Sequence, residues 1–364
     1  ILTNADMNIN AKSALLMDYN TGEIIYSLNE HEKLAPASIT KIMTLLLVME
    51  SLNKGKISLN DNVSISEHAS KMGGTSVYLD AGESQTVENL VKAVSVRSAN
   101  DASVALAEHI AGSEDAFVQL MNDKAQKLGM ENTHFSNSSG LPTVDHYTSA
   151  YDIGIMSREL LRHDKIIKYL TIYMEDLEVG KSKTSTQTMV NTNRLIKEYE
   201  GANWIKTGFT NEAKHCISAS ARRGDLQLIA VVLSADDSKL RFDEAKKLLD
   251  FGFSNYESIT VGLKGDIFAN IPVEKGKGNS VDIMLERDVF ILIPKGEKRS
   301  VDKIINHSEY LDAPVKRGFV VGELEVLVDG KKVDKVNLVA KSDVQKGNIL
   351  NLLKKTWVNF LFNE

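Results

Sequence analysis

Three short patterns hold the residue types that could do nucleophilic chemistry. In Pro36-Ala37-Ser38-Ile39-Thr40-Lys41 a serine and a lysine stand three positions apart, ahead of a breaker-free apolar run through Ile42-Met43-Thr44-Leu45-Leu46-Leu47-Val48-Met49. That run predicts a buried helix with Ser38 in its first turn. Positions three apart share a helix face, so Lys41 hangs over the Ser38 hydroxyl. Serine is a poor nucleophile until a neighbour takes its proton. A lysine can do so only with a lowered pKa, and burial among the following leucines and methionines supplies that shift by disfavouring the ammonium. The start of the helix adds free N–H groups and partial positive charge where an oxyanion would form.

The second pattern is Ser98-Ala99-Asn100, at an abrupt junction between one predicted helix, Val87 to Val96, and another that restarts at Ala102. A short connection of that kind can aim side chains into a cleft. The third, Lys206-Thr207-Gly208, precedes two predicted strands, His215 to Ala221 and Gln227 to Leu233, joined at Arg222-Arg223-Gly224-Asp225. Its glycine would let a substrate backbone come close to the strand, and Lys206 and Thr207 would offer charge and a hydroxyl to a carboxylate. Each pattern is cheap by itself. Ser51-Leu52-Asn53-Lys54 repeats the first and Ser58-Leu59-Asn60 the second, while capping residues or an edge lysine explain any one of them equally well.

The elements that must position these groups read as two domains followed by a tail. A hairpin spans 11–28, with Tyr19-Asn20-Thr21-Gly22 as its turn. The stretch 56–80, broken at Gly73-Gly74, predicts short strands and loops beside a cleft. Residues 135–142 read as a loop and Ser149 to His163 as a helix, with 181–193 exposed. A helix from Arg241 to Phe251 closes this first domain, assigned to 1–255. From 256 to 341 short β-branched strands such as Val289-Phe290-Ile291-Leu292-Ile293 alternate with Gly, Pro and Lys turns, the pattern of a small all-β sandwich. The last segment, 342–364, predicts an amphipathic helix that sets Ile349, Leu350, Leu353, Trp357, Phe360 and Leu361 on one face. Its lysines and aromatics suit a membrane interface, docking on a domain core being the plainer alternative.

Bulk properties narrow the class. The chain has 364 residues, 43% hydrophobic and 25% charged, with a net charge of −6 and no dense basic block. That argues against a nucleic-acid binder. The single cysteine, Cys216, excludes an internal disulfide, and the eight histidines are scattered without metal-ligand spacing, so neither a metal nor another cofactor is expected. No apolar run is long enough to span a bilayer.

Taken together and in this order, Ser-x-x-Lys, Ser-x-Asn and Lys-Thr-Gly form a specific set. The sequence resembles the low-molecular-weight penicillin-binding proteins, serine-type D-alanyl-D-alanine carboxypeptidases with a C-terminal β domain and terminal membrane helix. The likeness covers essentially the whole chain, including Ala35 to Lys41, Arg97-Ser98-Ala99-Asn100-Asp101-Ala102 and Gly201 to Gly208. It implies an α+β, β-lactamase-like catalytic domain with an antiparallel sheet flanked by helices. It further implies that Ser38 attacks the D-Ala-D-Ala peptide bond of a peptidoglycan stem peptide, with Lys41 as base and Ser98 relaying a proton. Asn100, Lys206, Thr207, Gly208 and the Phe209 N–H bind the substrate, and β-lactams trap Ser38 as an ester. The setting implied is the outer face of the cytoplasmic membrane, reached by a signal peptide that the chain lacks. Two positions depart from the family pattern: Ser139-Gly140-Leu141 where many relatives have His-Gly-Leu, and the bulky Phe209. Both bear on rate and stem-peptide preference. The rivals are a β-lactamase, needing a deacylating glutamate such as Glu159 or Glu198, and a non-catalytic peptidoglycan-binding module.

Overall fold

The strand Ser13–Asp18 is buried along its whole length, so both of its faces must be covered. It pairs antiparallel with Ile24–Leu28 on one side and with Leu226–Ala235 on the other. The sheet continues through Lys214–Arg223 and ends at Lys206–Thr210, giving five antiparallel strands. Leu15 and Met17 point to the helix Ala150–Leu161, where a Cβ on Gly154 would stand 2.6 Å from Leu15 Cδ2. Leu16 points the other way, to the helix Ser238–Asn255, where a Cβ on Gly252 would stand 3.0 Å from Leu16 Cδ2. A glycine inside a helix is destabilising by roughly 0.5–1 kcal/mol; here each lets a helix close onto the sheet.

The computed structural model describes residues 7–203 and 205–348, and the chain divides into two compact units at Asn255/Tyr256. In the first unit the helix Lys41–Asn53 is buried without interruption from Lys41 to Met49, as a helix apolar on every side must be. It packs against the helices Ala150–Leu161, Asn100–Ala111 and Glu114–Lys127.

Three local readings of the sequence are refined. Ser38 lies in a 3-10 turn, Ala37–Thr40, that leads into the helix. The helix Val87–Lys92 opens into a π turn, Ala93–Arg97, with the Ala99 N–H reaching the Ala93 carbonyl at 3.2 Å. The segment 181–193 is not simply exposed: Ser185–Val190 pairs with Met174–Val179 and buries Met189, with Thr186 and Thr188 exposed on the opposite face.

In the second unit the hairpin Val320–Val328/Lys331–Ala340 anchors a six-stranded sheet. A two-stranded sheet, Tyr256–Gly262 with Val289–Pro294, contributes Ile291 and Ile293 to the same core as Ile283, Leu324 and Leu338. Bridges Val315↔Val344 and Gly276↔Lys346 carry this pairing past the boundary drawn at 341/342, because Val344 is a buried member of that core. The helix expected over 342–364 therefore does not begin at 342, and residues 349–364 of it lie outside the described residues.

Candidate active site

The turn that carries Ser38 is gripped from two sides. Ala37 has a left-handed backbone, φ 49°, which is uncommon for a residue with a Cβ. Its carbonyl accepts a hydrogen bond from Thr40 Oγ1 at 2.8 Å. On one side lies the loop through Gly140, φ 86°, where a Cβ would fall 1.9 Å from the Ala37 oxygen. On the other lies Gly208 of the strand Lys206–Thr210, where a Cβ would fall 3.0 Å from Pro36 O and 3.1 Å from Ser38 N. A side chain at Gly208 would press strand and turn apart by a few tenths of an ångström.

Lys41 sits directly beneath this turn and is fully buried. Its Nζ has three polar neighbours: Ser38 Oγ at 3.1 Å, Asn100 Oδ1 at 2.7 Å and the Ser139 carbonyl. The Asn100 amide is oriented by its Nδ2, which donates to the Gly73 carbonyl at 2.7 Å, so its oxygen faces the lysine. Two of the three neighbours can therefore only accept. A neutral amine satisfies both with its two N–H groups and turns its lone pair toward the Ser38 hydroxyl. Electrostatics favour that form. Burial, then the charge of Lys206, push the Lys41 pKa well below that of an ordinary lysine, against a smaller upward pull from Asp101.

Ser98 ends the π turn in the left-handed region, φ 66° and ψ 33°. Its Oγ is buried and has no hydrogen-bond partner among the described residues. Asn100 starts the next helix, and its backbone N–H donates to the Thr75 carbonyl at 2.7 Å. Asp101 ties down the same loop, accepting from the Val77 N–H at 3.2 Å and the Leu79 N–H at 3.1 Å.

Lys206, Thr207 and Gly208 are buried on the last strand of the sheet, whereas Phe209 is 53% exposed and stacks on His215 with ring centroids 4.4 Å apart. Lys206 Nζ donates to the Thr207 carbonyl at 3.0 Å, and the Thr207 and Thr192 hydroxyls are 2.9 Å apart. Burial and the charge of Arg241 push the Lys206 pKa down to about 7. Arg241, buried in turn, donates from Nη1 to the Gly208 carbonyl at 2.9 Å.

Ser38 thus has Lys41 and Gly208 as immediate neighbours, and Asn100 joins it through Lys41. Several contributors were not singled out from the sequence. Asn137 Oδ1 accepts from the N–H groups of Gly140 at 2.7 Å and of Ser139 and Leu141 at 3.2 Å, and so shapes the loop that presents the Ser139 carbonyl. Arg241 braces the strand from its outer helix. The Ser/Asn/Gly density of 135–142 marked a loop but not its use, because backbone carbonyls leave no trace in a sequence. The glutamates weighed as deacylating groups are engaged elsewhere. Glu159 pairs with Lys124 and Arg162, at 3.3 and 3.0 Å, and Glu198 with Lys246 at 3.0 Å. Cys216 is a buried thiol with its pKa pushed up to about 11 by desolvation, which keeps it unreactive.

Comparison with known proteins agrees over nearly the full length. The family described as D-alanyl-D-alanine carboxypeptidase matches residues 2–237, and the penicillin-binding protein 5 C-terminal domain matches 256–346. The D-alanyl-D-alanine carboxypeptidase DacF of Bacillus subtilis is 43% identical over 354 residues, 96% of this chain and 90% of that protein. DacC of Escherichia coli, also a D-alanyl-D-alanine carboxypeptidase, is 34% identical over 93% of this chain and 86% of its own length. The crystal structure of penicillin-binding protein 5 from Haemophilus influenzae superposes with a TM-score of 0.74 at 34% identity, covering 93% of this chain and 98% of that one. The chain belongs to the D-alanyl-D-alanine carboxypeptidases, the low-molecular-weight penicillin-binding proteins that carry a separate C-terminal domain.

Proposed function

We propose that this serine-type D-alanyl-D-alanine carboxypeptidase works through an acyl-enzyme on Ser38. Lys41 Nζ takes the Ser38 proton as Oγ attacks the carbonyl carbon of the D-Ala-D-Ala peptide bond of a stem peptide. The C–N bond breaks, Ser98 passes a proton to the departing amine, and terminal D-Ala leaves. Water then cleaves the ester and restores the serine. The developing oxyanion is held by the Ser38 and Phe209 N–H groups. Lys206 and Thr207 bind the terminal carboxylate, Asn100 the substrate amide, and Gly208 keeps the strand accessible. No cofactor takes part.

The observation that carries this reading is the pair of obligate acceptors around Lys41, which leave its lone pair for Ser38. The unpartnered Ser98 hydroxyl supports the relay. The catalytic domain is 1–255, and the β unit that follows is a sandwich serving as a spacer. The 349–364 stretch, on its sequence alone, is an amphipathic helix that holds the enzyme at the outer face of the cytoplasmic membrane.

Intact-protein mass spectrometry after mixing with benzylpenicillin, followed by peptide mapping, tests the mechanism. A lasting adduct on Ser38 is expected. Consumption of penicillin without an adduct would make the protein a β-lactamase, and neither adduct nor turnover would make it a binding module.

The two lysines also set a pH profile. Lys41 must be neutral to act as base, so kcat/KM falls on the acid side as it protonates. Lys206 must be charged to bind carboxylate, so kcat/KM falls as pH rises through about 7 in the free enzyme. The profile for a D-Ala-D-Ala peptide is therefore a bell. Lys206→Gln abolishes its alkaline limb, and an unchanged limb in that variant would remove Lys206 from carboxylate binding.

A further inference from the structure

One buried side chain at the site has no part in the mechanism above. His146 is buried beside the Ser38 turn, its ring edge-on to Phe135 with centroids 6.0 Å apart. Its Nδ1 accepts from the Ser136 N–H at 2.9 Å. Burial, then the positive potential of His134 and Lys41, push its pKa down to about 4, so the ring is neutral near pH 7. With Nδ1 occupied as an acceptor, the single ring proton is on Nε2, which lies 2.7 Å from Thr40 Oγ1. Thr40 accepts there and has one proton of its own, which it donates to the Ala37 carbonyl at 2.8 Å. Every donor in this chain is assigned, and every link runs toward Ala37.

The Ala37 carbonyl and the Ser38 N–H belong to one trans peptide, so they point in opposite directions within a rigid plane. Fixing the oxygen fixes where the N–H aims. The plane needs fixing, because a left-handed alanine is a strained conformation that surrounding contacts must hold, at about 1–3 kcal/mol. Gly140 blocks the oxygen sterically from one side, and Thr40 holds it by a directed hydrogen bond.

We propose that His146 is a positioning residue for the reaction, acting through Thr40 to lock the Ala37–Ser38 peptide so that the Ser38 N–H is aimed at the developing oxyanion. The inference rests on the Ser38 N–H serving as an oxyanion donor. Neither His146 nor Thr40 touches substrate. What they control is the transition state and not the ground state, because the tetrahedral oxygen needs the aimed N–H more than the planar carbonyl does.

The test compares Thr40→Val, which keeps the shape and removes the hydroxyl, with Thr40→Ser, which keeps the hydroxyl, and with His146→Phe, which keeps a ring without a donor. Three quantities are read: kcat and KM for a diacetylated tripeptide ending in D-Ala-D-Ala, the rate of Ser38 acylation by benzylpenicillin, and affinity for a peptide boronic acid. The boronate forms a tetrahedral adduct on serine with an oxygen in the oxyanion position. Thr40→Val is expected to lower kcat and the acylation rate by about 10- to 100-fold, short of the roughly 10²–10³ for outright loss of a donor. Boronate affinity should fall in parallel while KM stays within about twofold, and Thr40→Ser should restore all three. His146→Phe should act in the same direction, and combining it with Thr40→Val should add little, as for two links of one chain.

The proposal is overturned if Thr40→Val keeps kcat within about threefold, or loses kcat with boronate affinity intact. It is also overturned if Thr40→Ser fails to rescue. Should Thr40→Val not fold, His146→Phe against wild type decides by the same criteria. Absence of a Ser38 adduct in the wild type would instead overturn the mechanism beneath it, so the two failures are separable.

Discussion

Ser38→Ala abolishes D-Ala release, lowering kcat by on the order of 10³-fold or more, as the loss of a nucleophile does when its partners have nothing else to activate. The substitution is structurally mild. Ser38 is half-buried in a turn held by its neighbours: Thr40 on the Ala37 carbonyl, Gly140 packed against the same oxygen, and Gly208 against the Ser38 nitrogen. None of those contacts uses the Ser38 side chain, so the fold and the oxyanion donors survive, and the variant should still bind the substrate peptide with affinity close to that of wild type. The checks are D-Ala release from a D-Ala-D-Ala peptide and the absence of a penicillin adduct by mass. Release within tenfold of wild type would mean that another group is the nucleophile and that the acyl-enzyme is misassigned.

Lys41→Met should be nearly as damaging, with the acylation rate down by about 10²–10⁴-fold, the range spanned by general-base catalysis. Methionine matches the length of the lysine stem but leaves Asn100 Oδ1 and the Ser139 carbonyl without their donor, at about 1–3 kcal/mol each, so the melting temperature is measured alongside the rate. A second variant separates proton acceptance from charge. Lys41→Arg places a fixed cation there, and a guanidinium stays protonated and cannot take the Ser38 proton. Both variants should fail to acylate with benzylpenicillin on the timescale of the wild type. If arginine instead retained activity within about tenfold, positive charge and not basicity would be what the site needs from position 41.

The sequence carried the Ser38–Lys41 pair, proposed here as nucleophile and base, because helix geometry is local. Three residues apart, next to a buried apolar run, is a statement about one turn of chain, and the 3-10 turn before the helix did not break it. The lowered pKa of Lys41 was foreseeable in its first cause, burial. Its second, Lys206, stands 165 positions away and follows only from the folded sheet meeting the turn. The same holds for Gly208. Its glycine was legible as a site of close approach, but what approaches is the protein's own Pro36–Ser38 backbone. Groups that act through backbone atoms, such as the carbonyls of Gly73 and Ser139, or through a hydroxyl relay, such as Thr40 and His146, have no residue-type signature. In the β unit the alternation of Val320–Val328 was plain, yet the bridge at Val344 was hidden by the break at Lys341-Ser342-Asp343.

The burial of Lys41 and Lys206 in one site has a thermodynamic consequence outside catalysis. Each binds a proton less readily in the folded chain than in the unfolded one, where a lysine titrates near 10.4. Between about 7, the folded value for Lys206, and about 10.4 the unfolded chain holds more protons, so from this pair alone stability rises with pH across that interval. The carboxylate binding proposed for Lys206 would weaken over the same interval as it discharges. With Lys206 in its proposed role, the conditions under which the site is easiest to keep folded are not those under which it works, and the buried lysines are a standing penalty on stability that a carboxylate paired with Lys206 would partly lift.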